Sequence, residues 1–504
     1  MKKKQKKSFV DRFLNGVEVA GNKLPDPITI FAILAGIVLL ASWLFNKIGL
    51  SAINPTSGET LEVVNLLSRE GFNQILTGMI TNFTSFAPLG IVVAAMIGIG
   101  VAEHSGLITT LMKKTVLSAP AKLIVPVLIF TALFGSIATD AAYIILPPIA
   151  AMIFMSVGRH PIVGMVAAYA AIAGGFSANI LITSLDPLLA GITEEAARLV
   201  DPEYTGLATM NYYFMAVSTV FLIIVATFVT TKIVEPRFGK FSGQMEKLEK
   251  VSPLESKALV WAGVAALAYI AIILVMLLPE NGWLRGENGA FLKSPFISGI
   301  VPILLFLFLI PGVVYGLVVG NIKSDRDVAS MMFKSMADLG PFIVLAFVAA
   351  QMMAFFNWSN IGTILAIRGA DFLKSIDVPG VPLFIGFIII CATINLLMSS
   401  ASAKWILLAP IFVPMFMYLG YSPAVTQMAY RVGDSITNPI TPLLAYFPML
   451  LAFARKYDKD IKMGTLISAL LPYSIFFGIM WIILFAAWIL LGIPMGPGEV
   501  LKID

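Results

Sequence analysis

The chain alternates long apolar runs with short polar breaks. Apolar runs cover 28–45, 86–101, 123–134, 212–229, 259–278, 296–319, 340–356, 381–398 and 467–491. Most reach the roughly 17 to 25 residues that a helix needs to cross the hydrocarbon core of a bilayer. Between the last two runs, residues 395–442 break this pattern. They carry Lys404, Arg431 and Asp434, a serine-rich turn, and prolines at 410, 414, 423, 439 and 442. Hydrocarbon cannot solvate charges or the backbone groups that proline frees, so this stretch is expected to line a cavity inside the protein.

Composition agrees with the pattern. Of 504 residues, 58% are hydrophobic and 12% charged, and mean hydropathy is +0.91. A soluble domain carries about 25% charged residues, so the chain is read as a polytopic, all-α integral membrane protein. The start, MKKKQKKSFVDRF, precedes an apolar run too long for a signal peptide and lacking a small-residue cleavage site. That predicts a retained first helix with a cytoplasmic N-terminus. Cys391 is the single cysteine and excludes a disulfide framework. No metal-ligand or haem spacing appears, and the only histidines are His104 and His160.

The net charge of +5 lies in a few loops, as orientation signals do, rather than on a nucleic-acid surface. Basic loops at 1–7, at Lys113, Lys114 and Lys122, and at 232–257, 323–334 and 455–462 are expected in the cytoplasm. The segments 51–84 and 281–289 and the tail MGPGEVLKID are expected outside.

The charged linker 232–257 divides the chain nearly in half and prompts a search for a repeat. Sliding the halves by 262 positions (405 minus 143) places YIILPPIAAMIFMSVGRHP (143–161) on WILLAPIFVPMFMYLGYSP (405–423). Pro148 meets Pro410, Gly158 meets Gly420 and Pro161 meets Pro423 without a gap. Shared composition explains the matching Ile and Phe positions; the matched Pro and Gly argue for a true repeat. GSIATDAAY (135–143) and SSASAKW (399–405) precede the two copies. These turns are too polar for lipid and read as tips of two re-entrant hairpins, the alternative being ordinary loops outside the membrane. Counting crossings, the unit at 85–231 enters from outside and the unit at 336–455 from the cytoplasm. The segments 1–84, 258–335 and 456–504 flank and connect them. Inverted repeats with broken helices point to a secondary transporter whose site lies at the repeat interface.

Candidate residues follow. Trp405 could stack on a flat substrate or belong to an interfacial belt, and Ser400 or Ser402 could donate hydrogen bonds. Arg431 and Asp434, three apart, share a helix face. Either Arg431 holds a substrate carboxylate while Asp434 takes a cation or proton, or the two simply pair. Gly433, Asn438-Pro439 and Pro442 are expected to break that helix, and Asn395 with freed carbonyls could complete an oxygen-rich Na⁺ site. In AGGFSANILITSLDPLLAG, Asp186 has no basic neighbour in sequence, so it is either a proton carrier or a helix cap before Pro187. Lys404 reads as snorkelling to an interface.

The passages GGFSANILITSLDPLLAGIT (174–193) and SSASAKW to YRVGDSITNPITPLL (399–444) resemble the AbgT family of bacterial transporters, and the resemblance extends along essentially the whole chain. It implies an inner-membrane homodimer, about nine transmembrane helices and two re-entrant hairpins per protomer, and a bowl-like cavity open to the cytoplasm. It also implies p-aminobenzoyl-glutamate uptake or sulfonamide export driven by an ion gradient. The family's functional residues correspond here to Asp186, Ser402, Trp405, Pro423, Arg431, Asp434 and Pro442, with Asn395 and Asp434 at the Na⁺ site. No organic cofactor is implied; H⁺ or Na⁺ is the coupling ion. The competing classes are a membrane-embedded hydrolase using Ser402 and Lys404, and a passive channel.

Overall fold

The computed structural model describes residues 25–55, 58–135, 139–239, 241, 251–291, 294–377 and 380–503. The basic start 1–7, much of the linker (240 and 242–250) and the first hairpin tip (136–138) lie outside the described residues, as do the side chains of 139–141.

The chain is almost entirely helical. A first group comprises α1 (Pro27–Lys47), α2 (Arg69–Thr84), α3 (Ala87–His104), α4 (Leu107–Leu117), α5 (Ile124–Gly135) and α6 (Thr139–Ser156). Next come α7 (Pro161–Gly174), α8 (Leu185–Ala197), α9 (Tyr212–Phe228), α10 (Pro253–Leu277), α11 (Ile300–Val319) and α12 (Asp325–Asp338). The last group is α13 (Gly340–Trp358), α14 (Ile361–Ser375), α15 (Gly380–Asn395), α16 (Ala401–Met417), α17 (Pro423–Thr437), α18 (Phe447–Ala454) and α19 (Met463–Leu490). A two-stranded antiparallel hairpin, β1 (Ser51–Ile53) with β2 (Thr60–Glu62), is the one sheet among the described residues. Seven of these helical segments are long and apolar enough to span a bilayer, and five apolar helices are shorter.

The expected external stretch 51–84 is more ordered than its mixed composition suggests. Ser68 caps α2 by accepting from Gly71 N at 3.1 Å, and α2 with α3 forms one spanning-length segment, Arg69–His104.

Burial sorts the helices into a lipid-facing rim and a protein-enclosed centre. In α10 only Ala258, Ala262 and Leu277 are buried, while Leu267 and Val275 stand exposed. A helix apolar all round with its side chains turned outward is built for hydrocarbon. Every residue of α7 is buried, and in α17 all but Thr437 are.

Two runs of helices share one order. From α3 to α9 the chain forms a long helix, a short helix, a helical hairpin (α5–α6), a helix broken at 175–184 (α7, α8) and a closing helix. From α13 to α19 the same elements recur, with the second hairpin at α15–α16 and the second break at 438–446. Matching turns match in detail. Gly158 and Gly420 both have positive φ, 72° and 82°, a conformation glycine adopts without steric cost. Arg159 N bonds Phe154 O at 2.8 Å as Tyr421 N bonds Phe416 O at 2.9 Å. The opening helices run in opposite senses. The start of α3 shares a cavity with the end of α13, through Phe86 and Trp358, whereas His104 at the end of α3 lies 3.8 Å from Asp338, just before α13 begins. The hairpin helices are short: the 17 residues of α16 reach about 26 Å at 1.5 Å per residue, less than the ~30 Å core.

Candidate functional site

The site lies where the two broken helices meet. Proline at the first position starts α7 and α17, after His160 and Ser422, because its fixed φ suits a helix start and its missing N–H is not needed there. Both helices then stop in mid-protein. Asn438, just past α17, donates to Ala173 O at 3.2 Å near the end of α7, which ties one break to the other.

Two ion pairs occupy this junction. Arg431 Nη2 lies 2.6 Å from Asp186 Oδ1, both side chains almost fully buried. The second oxygen of Asp186 accepts from Thr183 N at 2.6 Å and Thr183 Oγ1 at 2.9 Å. Asp186, in the first turn of α8, thus ties down the incoming Thr183 rather than capping the helix, and is one partner of a pair joining the repeat units. The isolation expected from its sequence neighbours is corrected: its cation comes from 245 positions downstream (431 minus 186). Lys404 pairs with Asp434, and its ammonium also donates to Asn395 Oδ1. Lys404 is completely buried, so it does not snorkel to an interface. Arg431 and Asp434, though three apart, each take a different partner. Two cations and two anions leave the cluster balanced if all four are ionised, and pairing is what makes such burial tolerable.

Asn395 organises the second pair. Its amide nitrogen lies 2.7 Å from Asp434 O, 2.9 Å from Thr437 Oγ1 and 2.8 Å from Asn438 Oδ1. The end of α15, the hairpin tip and the break after α17 therefore share one oxygen-rich spot. Gly433 does not break α17, which runs unbroken from Pro423 to Thr437. Its missing side chain instead lets α17 approach α15, since a Cβ there would lie 2.5 Å from Ile388 O.

Trp405 is fully buried and stacks on Tyr430 with ring centroids 4.4 Å apart and planes 22° apart. Its Nε1 donates to Thr193 Oγ1 at 2.9 Å, and Gln427 Nε2 donates to the same oxygen at 2.7 Å. Thr193 belongs to α8, so the second unit again grips the first. Along α17, Gln427, Arg431 and Ser435 follow at four-residue steps. Gln427 Oε1, Arg431 Nε and Ser435 Oγ are buried without a hydrogen-bond partner among the described residues. This polar stripe suits a ligand with several donors and acceptors.

The structure thus brings Asp186, Asn395, Trp405, Arg431 and Asp434 together and adds Thr193, Gln427, Tyr430 and Lys404. Ser402 is partly buried at the tip, 3.5 Å from Ser400 Oγ. Pro423 starts α17, eight residues before Arg431, about 12 Å along the axis. Pro442 lies in the break, where Ser399 Oγ donates to Leu443 O at 3.1 Å and Thr441 Oγ1 to Leu396 O at 3.2 Å. Both prolines shape the backbone rather than join the charged cluster. Lys404 is engaged by Asn395 and Asp434, which argues against its serving as a base for Ser402. The polar 4-residue steps in α17 were a usable sequence signal for Gln427; Thr193, next to the more conspicuous Glu194 and Glu195, gave none.

Comparison with known proteins supplies the family. The AbgT transporter family model matches residues 12–503. The p-aminobenzoyl-glutamate transport protein of Escherichia coli (strain K12) is 41% identical over 484 residues, covering 96% of this chain and 95% of that protein. Two solved structures superpose closely. The Alcanivorax borkumensis YdaH transporter, of unusual topology, gives a TM-score of 0.91 at 39% identity, covering 94% of this chain and all of that one. Neisseria gonorrhoeae MtrF, described within a class of antimetabolite efflux pumps, gives 0.92 at 45%, covering 97% of this chain and all of that one. The chain is a nearly all-helical, multi-pass membrane protein that belongs to the AbgT transporter family.

Proposed function

We propose that the protein is an ion-coupled secondary active transporter of p-aminobenzoyl-glutamate and related aryl amines, including sulfonamide-type antimetabolites. It acts in the bacterial inner membrane as a homodimer, with a cytoplasmic N-terminus. The observation that carries this reading is the Arg431–Asp186 pair, which joins the broken helices of oppositely running units.

The chemistry follows from what each group can exchange. A substrate carboxylate competes with Asp186 for Arg431. Released from its cation in a buried setting, Asp186 takes a proton, because an unpaired buried charge is costly. Substrate and proton binding are thereby linked. Trp405 offers an aryl ring the face not covered by Tyr430, and Ser402 donates at the tip. Asn395 and Asp434 supply oxygens for Na⁺, in the manner of carbonyl-rich unwound segments. Pro423 and Pro442 hold the helix start and the break in register. Whether uptake or export dominates depends on the gradient imposed.

The test is counterflow in proteoliposomes, with a panel of aminobenzoates and sulfonamides under separate H⁺ and Na⁺ gradients. Saturable countertransport driven by one gradient is expected. Flux indifferent to both gradients refutes the coupling, and flux without saturation favours a channel.

A further inference from the structure

Among the described residues, Lys404 is the one buried cation that the transport scheme leaves without a task. It sits four residues beyond the N-cap Ser400 of α16, where the helix dipole disfavours positive charge. A lysine retained only for stability would be better placed elsewhere. Its ammonium is held by Asn395 Oδ1 and Asp434 Oδ1. Around that same Asn395 side chain gather Asp434 O, Thr437 Oγ1 and Asn438 Oδ1. Those three oxygens accept from the Asn395 amide nitrogen and fix its carbonyl oxygen beside Asp434 Oδ1; oxygens are the donors hard cations prefer, and the tethered ammonium already occupies this pair.

We propose that Lys404 is a built-in competitor for the Asn395–Asp434 cation site, so that Na⁺ enters only when the ammonium withdraws. The flexible four-carbon stem of lysine permits withdrawal without moving the backbone. The site is closed to Na⁺ in the conformation described here and opens in another, which makes cation binding report on conformation. A fixed oxygen cage without the lysine would bind Na⁺ in every state and couple nothing, because a ligand with equal affinity for two states shifts neither.

This inference rests on the reading of Asn395 and Asp434 as a cation site, and its test does not depend on flux. Equilibrium binding of radiolabelled Na⁺ to purified protein compares wild type with Lys404→Met, which keeps the length and removes the charge, and Lys404→Arg, which keeps the charge. If the withdrawn state holds about 1 to 10% of molecules, removing the competitor raises apparent Na⁺ affinity about 10- to 100-fold. Lys404→Arg should stay within a few-fold of wild type, and Lys404→Met/Asp434→Asn should show no Na⁺ binding. Equal affinity in wild type and Lys404→Met overturns the proposal. Should Lys404→Met fail to fold, the wild type answers instead: acylation of Lys404, followed by mass spectrometry, must rise with Na⁺ relative to choline, and an unchanged yield overturns the proposal. Na⁺-driven flux in wild type with no gain of binding in Lys404→Met sinks this inference alone. Gain of binding with gradient-indifferent flux sinks the transport reading alone.

Discussion

The two repeat units share a scaffold and divide the chemistry unequally. At the 262-position offset, Asn395, Lys404, Arg431 and Asp434 of the second unit correspond to Leu133, Ala142, Tyr169 and Ile172 of the first. All four counterparts are buried. The duplicated hairpin and broken helix therefore need no charge at these four positions to fold. Aromatic pairing survives in both: Trp405 stacks on Tyr430 at 4.4 Å, and Tyr143 packs edge-on against Tyr169 at 5.5 Å. The difference teaches that the charged set is an addition to a working scaffold, answered from the first unit by Asp186 and Thr193, both after its break. Breaking the junction should accordingly cost function before it costs architecture, provided no buried charge is left alone.

The largest effect is expected at Arg431. Arg431→Met leaves Asp186 buried without its cation, and such half-broken pairs cost about 3–5 kcal/mol. Thermal unfolding in detergent should show this loss. Arg431→Met/Asp186→Asn removes both charges and should recover most of the stability while remaining transport-dead. If the double variant is as unstable as the single, the charges are scaffold after all and the comparison between units fails.

Next comes Gly433. A Cβ there would lie 2.5 Å from Ile388 O and 2.6 Å from Cys391 Cβ, so Gly433→Ala forces α17 away from α15 at a cost of about 1–3 kcal/mol. The first unit carries Ala171 at the matching position, fully buried. The tighter approach is thus peculiar to the charged unit, where it holds Asn395 against Asp434. Loss of Na⁺ response in Gly433→Ala, read by the binding assay above, would sharpen that distinction. A smaller change is expected from Trp405→Phe, which keeps the ring against Tyr430 but removes the donor to Thr193. Gln427 still serves that oxygen, so the cost should be about 1 kcal/mol. Its measure is a drop in thermal stability of that size, accompanied by a several-fold rise in substrate KM.

Much of this fold was legible from residue patterns. Apolar run length marks helices because hydrocarbon admits little else, and Gly158-x-x-Pro161 against Gly420-x-x-Pro423 marked the repeat because turn residues are backbone requirements. Side-chain partnership was not legible. Arg431 and Asp434 share a face by spacing, yet each finds a partner on another element, and the direction a side chain takes is set by tertiary packing that spacing does not encode. Lys404 was misplaced for the same reason: its sequence neighbours describe a helix end, and only the fold shows that this end is buried in the protein. Gly433 reads as a breaker in the sequence because glycine lowers helix propensity, whereas in the fold the close packing of α15 decides.

The smallest effect concerns how each unit's outer turn is pinned by the chain leaving its own last helix. After α9, Glu235 holds Arg159 of the first turn through two hydrogen bonds of 2.6 Å. After α19, the tail holds the second turn through backbone bonds instead, Ile503 N to Gly420 O and Ser422 N to Leu501 O, each 3.0 Å. Within that tail, burial pushes the Glu499 carboxyl up from its ordinary 4.5 to about 7. A raised folded-state value means that the docked tail binds its proton more tightly than the undocked one. Its contribution to docking is fully present below about 4.5 and is lost as pH rises through about 7. Limited proteolysis of the tail should therefore quicken across that window, while Glu499→Gln should flatten the dependence and leave nicking slow. The first turn is held by the Arg159–Glu235 pair instead of the tail, so its nicking should not follow the Glu499 window. Equal pH sensitivity at both turns would mean that the two units are pinned by one mechanism, and the contrast drawn from Arg159 and Gly420 would fall.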